Sequence, residues 1–314
     1  MLAIVCPGQG SQTPGFLSPW LELTGVEEQL TALSELAGRD LIAHGTTSDE
    51  ETIKDTAIAQ PLIVAAGLVT YRALAGSEAA AAADGGVVAG HSVGEITASA
   101  VAGALSEQDA MRLVRARANA MAEAAHASPT GMTAVVGGQP EDVAAAIASA
   151  GLTAANANGA GQVVAAGTVD QLQVLAQNPP ERARVIPLKV AGAFHTQHMA
   201  SAVDVLERLR PELSPRDPRL PLLSNFDGRP VASGTDNLDS LIAQVSRPVR
   251  WDRCMEQLTA MGVTGVLELA PAGTLVGLAK RGMRGTASFA LKTPEDLEAA
   301  RAFASEHLEA AKEN

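Results

Sequence analysis

Aromatic residues are scarce, at 3% of 314 residues: two Trp, one Tyr and five Phe. Broad ring surfaces for stacking bases cannot be assembled from so few, which argues against single-stranded nucleic acid as a partner. Basic charge is also in deficit, with 23 Lys and Arg against 35 Asp and Glu, a net charge of −12. No long basic run occurs, so nothing tracks a phosphate backbone. Cysteine is nearly absent. Cys6 and Cys254 alone make neither a disulfide framework nor a metal-ligand cluster, and a reducing cytoplasm is the expectation. No apolar stretch reaches the eighteen residues of a membrane span without a charge or turn signal, and the N-terminus lacks a basic leader region. Neither membrane insertion nor secretion is expected. No internal repeat or low-complexity linker is visible.

What is abundant is aliphatic. Apolar residues make up 46% of the chain, mostly Ala, Val and Leu, which suits tightly packed α/β layers. Leu2–Cys6 reads as a buried strand running into the loop Pro7-Gly8-Gln9-Gly10-Ser11-Gln12. One helix is predicted over Pro19–Ala37 and another from Ala59 to Leu74, with its end and a loop across Ser77–Asp84. Gly86–Ala89 reads as a strand and Glu95–Ala102 as a helix. Ser106 caps a helix that runs to Ala125. The rhythm then changes. Strands at Thr133–Val136, Thr153–Ala157, Gln162–Ala166 and Arg184–Val190 alternate with helices at Glu141–Ala150 and Asp170–Gln177. That β-α-β-β-α-β order is the split βαβ, or ferredoxin-like, plan. The remainder predicts a helix over Met199–Leu209, a strand at Pro221–Ser224 and a helix at Asp239–Val245. Then come a connection through Arg247–Trp251 into a helix ending near Met261, a strand at Val263–Leu269, a helix to Lys280 and a C-terminal helix from Pro294. The expected architecture is an α/β-hydrolase-like core with a central parallel sheet, formed by residues 1–127 and 192–314. A ferredoxin-like subdomain, residues 128–191, is inserted into it.

The most informative motif is Gly90-His91-Ser92-Val93-Gly94, a G-x-S-x-G elbow with a strand before it and a helix after it. Such a turn thrusts the Ser92 hydroxyl outward. It also sets the Val93 amide and a helix N-terminus beside it, which is a nucleophile with a fixed positive field for an oxyanion. Ser92 needs a base. His91 adjoins it but points away from the elbow. His195, where the chain re-enters the main unit, is favoured, with His198 as its near alternative. Arg117 falls on the apolar stripe of its helix with Ala110, Leu113, Val114, Ala118 and Met121. A cation there needs an anionic partner, either a ligand or a structural salt bridge.

These segments resemble the bacterial malonyl-CoA:acyl-carrier-protein transacylase family of fatty-acid and polyketide systems. The resemblance rests on Pro7–Gln12, Gly90–Glu95, Arg117, Asn158-Gly159 through Gln162-Val163-Val164, Gly192-Ala193-Phe194-His195 and Pro248-Val249-Arg250-Trp251. It spans nearly the whole chain. It implies Ser92 as nucleophile, His195 as general base and then acid, and the amides of Gln9 and Val93 as oxyanion donors. Arg117 would grip the malonyl carboxylate, Phe194 would favour malonyl over methylmalonyl, and the backbone carbonyl of Arg250 would orient His195. The family reading needs no cofactor and takes malonyl-CoA as substrate and acyl carrier protein as partner; a monomer is the default expectation. An acidic carrier would meet local basic groups on this acidic chain. The candidates are Arg182, Arg184 and Lys189, or Lys280, Arg281 and Arg284. Two other readings of the motif remain. A serine esterase or thioesterase would orient His195 with a carboxylate and leave Arg117 idle. A non-catalytic scaffold would leave Ser92 unreactive.

Overall fold

Two five-stranded sheets organise the chain, seen in a computed structural model that describes residues 1–76, 86–190 and 192–309. The strands are β1 (Leu2–Cys6), β2 (Val87–Gly90), β3 (Thr130–Gly137), β4 (Thr153–Gly159) and β5 (Gln162–Thr168), followed by β6 (Ala183–Pro187), β7 (Leu222–Leu223), β8 (Val249–Arg250), β9 (Gly265–Glu268) and β10 (Ala287–Ala290). The first sheet has the order β10-β9-β1-β2-β7 and every pairing in it is parallel. Strands β1, β2 and β9 are buried along their whole length, and the aliphatic residues of β1 and β2 reflect that. Alternate side chains feed different cores. Leu2, Ile4 and Cys6 join one cluster, while Ala3 and Val5 join another around Trp251, Leu258 and Leu275.

The second sheet has the order β6-β3-β5-β4-β8. Its first four strands pair antiparallel and enclose their own small core of Val135, Val143, Ile147, Leu152, Ala165 and Leu175 under the helices Pro140–Ser149 and Val169–Gln177. The fifth strand is a correction to the sequence reading. Arg247–Trp251 reads as a connection, yet Val249 and Arg250 pair in parallel with Asn156 and Ala157 of β4. A two-residue strand has no periodicity to reveal it; only its partner defines it.

Two further differences have local causes. The helix expected over Pro19–Ala37 is split into a 3-10 turn, Ser18–Glu22, and a helix, Val26–Ala37. Leu23 is extended and Gly25 takes a φ of 84°, a left-handed geometry that suits glycine. Short helices Leu41–Thr46 and Glu50–Lys54 follow, each capped by an aspartate, Asp40 or Asp49. Helix Thr56–Ala75 is long and apolar enough to cross a membrane, but here it is largely buried and packs against helix Glu107–His126. The expected loop at Ser77–Asp84 and the insert boundary at Ala191 lie outside the described residues.

Candidate active site

The elbow at the end of β2 is built by exclusion. A Cβ on Gly90 would meet the Gly94 carbonyl oxygen at 2.1 Å, and one on Gly94 would meet the Cys6 carbonyl oxygen at 2.2 Å. Both glycines are therefore sterically required. Ser92 between them adopts a φ of 54°, the left-handed conformation of a sharp strand-to-helix turn. Asn225 clamps the turn: its Oδ1 accepts the Ser92 N–H at 2.8 Å and its Nδ2 donates to the Gly90 carbonyl at 2.6 Å.

The Ser92 hydroxyl lies 2.7 Å from His195 Nε2. His195 is buried, also at a positive φ of 61°, and its backbone N–H donates to Val245 O at 3.1 Å. On the far side of the ring, Nδ1 sits 2.8 Å from the carbonyl oxygen of Gln244. That contact assigns the proton to Nδ1 and leaves Nε2 to accept from Ser92. The acceptor is thus Gln244 and not Arg250, as the sequence resemblance implied. Gln244 ends helix Gly234–Gln244, where carbonyls lack partners within the helix. Arg250 lies on β8 instead, its N–H given to Asn225 O at 2.8 Å and its guanidinium to Asp252 at 2.9 and 2.7 Å. Burial, reinforced by the charge of Arg117, pulls the His195 pKa down to about 3, so the imidazole is neutral and ready to accept a proton. His198 does not line the cleft; it sits on the 3-10 turn Gln197–Met199. His91 points its Nε2 at Asn158 Oδ1, 2.8 Å away, and its ring edge at Trp251.

Arg117 is 1% exposed. One guanidinium nitrogen donates to Gln60 Oε1 at 2.6 Å; the other donates to Gln244 Oε1 at 3.0 Å and reaches Ser92 Oγ at 3.4 Å. These partners are all neutral, so the structural salt bridge is not what holds Arg117. Burial lowers its pKa to about 10, opposed by the more distant charge of Glu95, and it stays cationic.

A cleft of about 440 Å³ opens onto these groups, lined also by Gln9, Val93, Phe194, Met121 and Met132. The backbone N–H groups of Gln9 and Val93 serve none of the chain's own turns or caps among the described residues. The Gln9 loop is tethered by its side chain, which donates to Lys54 O at 3.4 Å and Thr56 Oγ1 at 3.3 Å. Of the basic candidates, all six are exposed and Arg281 lines the cleft. The sequence reading missed Gln60, Gln244 and Asn225. Gln60 was legible as an amide inside the apolar run Ala57–Val69 of its helix, whereas the other two carry no local signal.

A hydroxyl on a neutral imidazole, with a buried cation and two free amides close by, can pass an acyl group through a serine ester; this is the equipment of a serine acyltransferase. The acyl transferase domain family matches residues 3–304. Malonyl CoA-acyl carrier protein transacylase from Mycobacterium tuberculosis is 48% identical over 298 residues, 95% of this chain and 98% of the relative. The crystal structure of MCAT from the same organism superimposes with a TM-score of 0.92 at 47% identity, covering 96% of this chain and 99% of the other. A malonyl-transacylase in complex with its type II PKS acyl-carrier protein gives 0.85 at 28% identity, over 96% and 99% of the two chains. The chain belongs to the acyl transferase family and, within it, to the malonyl CoA-acyl carrier protein transacylases.

Proposed function

We propose that this chain moves a malonyl group from malonyl-CoA to the phosphopantetheine thiol of an acyl carrier protein, through a malonyl ester on Ser92. The observation that carries the proposal is the Ser92 hydroxyl, 2.7 Å from a neutral imidazole and 3.4 Å from a buried guanidinium. As Ser92 Oγ attacks the thioester carbon, its proton passes to His195 Nε2. The Gln244 carbonyl steadies the imidazolium, and the amides of Gln9 and Val93 receive the oxyanion. The carbon–sulfur bond then breaks and the CoA sulfur leaves with the proton from His195. The carrier's thiol enters, gives its proton to His195 and reverses the sequence, which yields ping-pong kinetics. Arg117 takes the free carboxylate in a bidentate pair, and Phe194 fills the space an α-methyl group would need.

The supporting frame is an α/β-hydrolase-like core, residues 1–127 and 192–314, with a ferredoxin-like insert at 128–191. The protein works as a cytoplasmic monomer without a cofactor, and its acidic carrier is met by Arg182, Arg184 and Lys189 or by Lys280, Arg281 and Arg284. The esterase reading is disfavoured because a carbonyl, not a carboxylate, faces Nδ1 of His195.

Incubation with malonyl-CoA followed by intact mass measurement tests the proposal. The expected result is a malonyl adduct that Ser92→Ala lacks and that a carrier protein discharges. Free malonate without transfer would indicate a hydrolase, and no adduct a scaffold.

A further inference from the structure

Glu95 follows the second glycine of the elbow, and the chemistry above leaves it without a task. Its side chain is fully buried in the first turn of helix Gly94–Val101. Two donors face it. The Asn225 N–H meets Oε1 at 3.1 Å, and Gln244 Nε2 meets Oε2. Gln244 has one amide oxygen and one NH2 group. With the NH2 turned to Glu95, its Oε1 points the other way and accepts from Arg117 at 3.0 Å. The same Nε2 also reaches Ser92 O at 3.2 Å and Asn225 Oδ1 at 3.3 Å. One amide therefore links the Glu95 carboxylate to the guanidinium.

We propose that Glu95 is a positioning residue whose two acceptor oxygens fix the Gln244 amide, so that Arg117 is held for a carboxylated acyl group in preference to an uncharged one. The inference rests on Arg117 being the partner of the substrate carboxylate.

The ionised form suits this arrangement best, because both oxygens then accept freely from the Asn225 N–H and the Gln244 NH2. A protonated carboxyl has less acceptor capacity, and a glutamine at position 95 has one acceptor oxygen and one NH2 group. In the glutamine that NH2 must face either the Asn225 N–H or the Gln244 NH2. Turning the Gln244 amide over relieves the second clash but presents NH2 to Arg117, donor against cation. Burial pushes Glu95 up to about 7, against the pull of its donors and of Arg117. The titratable and charged groups around it are Arg117 from helix Glu107–His126 and Cys254 from helix Trp251–Ala260; Ser224, Asn225 and Gln244 are uncharged. Arg117 stays cationic and burial pushes the Cys254 thiol well up, so Glu95 is the member that titrates near neutrality.

Glu95→Gln tests this, with Ser92 acylation by malonyl-CoA and acetyl-CoA followed by mass. The malonyl-to-acetyl ratio of kcat/KM should fall about tenfold, the worth of one charge-assisted hydrogen bond, chiefly through KM. Acetyl transfer should stay close to the parent rate. In the parent enzyme the ratio should rise from about pH 6 to about pH 8 as Glu95 ionises, and in Glu95→Gln it should be flat. Equal losses on both substrates, or none, would overturn the proposal. If Glu95→Gln does not fold, the parent pH series decides alone, and a flat ratio there refutes it. Arg117→Ala separates the two layers. If it leaves the ratio unchanged, the carboxylate-clamp reading fails. If it collapses the ratio while Glu95→Gln keeps it, only the positioning role fails.

Discussion

The charge on Arg117 finds no counter-ion among its direct partners, only two amide oxygens and a hydroxyl. An acetyl group entering the cleft would leave it so, while a malonyl group would complete it. Arg117→Ala should therefore lower kcat/KM for malonyl-CoA by about 30-fold to 5,000-fold, from roughly 2–5 kcal/mol for a broken buried pair, and affect acetyl-CoA far less. Steady-state assays on both thioesters check this. His195 makes a second expectation. With its pKa lowered to about 3, acetylation of Ser92 should show no imidazole limb between about pH 8 and pH 5. The same shift has a stability consequence. The unfolded chain takes up a proton near pH 6.5 and the folded ring only near 3. Stability from this group is therefore complete above 6.5 and declines as pH falls, by up to about 1.4 kcal/mol per unit. Thermal unfolding between pH 7 and pH 4 would reveal that slope. Ser92, His195 and Arg117 were legible in the sequence because each stands out from its surroundings: an elbow, a re-entry point, a cation on an apolar stripe. The histidine's acceptor was not legible. A carbonyl belongs to every residue, so nothing in the letters separates Gln244 from Arg250; only the end of a helix does.

Among elements, the strand-to-helix junctions carry the site and depend on close approach. Gly94→Ala would force its new methyl carbon against the Cys6 carbonyl oxygen, so β1 and the elbow helix must separate. A loss of about 1–3 kcal/mol or more is expected, read as a lower denaturation midpoint. At the other rim, the buried Glu268 carboxylate ends β9 and accepts the N–H groups of Gly273, Leu275 and Val276 at 2.9, 3.0 and 2.9 Å. This cap fixes the helix Thr274–Gly282, whose first turns line the cleft. Glu268→Gln would leave one of these donors facing an NH2 group, at a cost of about 1–3 kcal/mol in unfolding free energy measured in denaturant. The buried strands β1 and β2 were readable from their aliphatic runs. β8 and β10 were not, because the first is two residues long and the second is only partly buried, so neither carries a pattern of its own.

At the scale of the molecule, Ser92, His195 and Arg117 come from three separated stretches of chain and meet at one cleft. With a net charge of −12, the chain would repel an acidic carrier as a whole, so the proposed recognition rests on local basic groups. Reversing Arg182 and Arg184 to glutamate should raise KM for the carrier protein several-fold at low salt and leave acylation of Ser92 by malonyl-CoA unchanged, which steady-state and single-turnover assays separate.

The pairing of β4 with β8, with the His91 to Asn158 hydrogen bond beside it, stitches the strands of the second sheet before His195 to the chain that follows it. The two sheets are thus joined beside the cleft by backbone and side-chain hydrogen bonds, a seam that resists a clamshell opening. Under the proposed function, a carrier-tethered thiol would reach Ser92 through the existing cleft, and the length of its arm would then set how far away the carrier may dock.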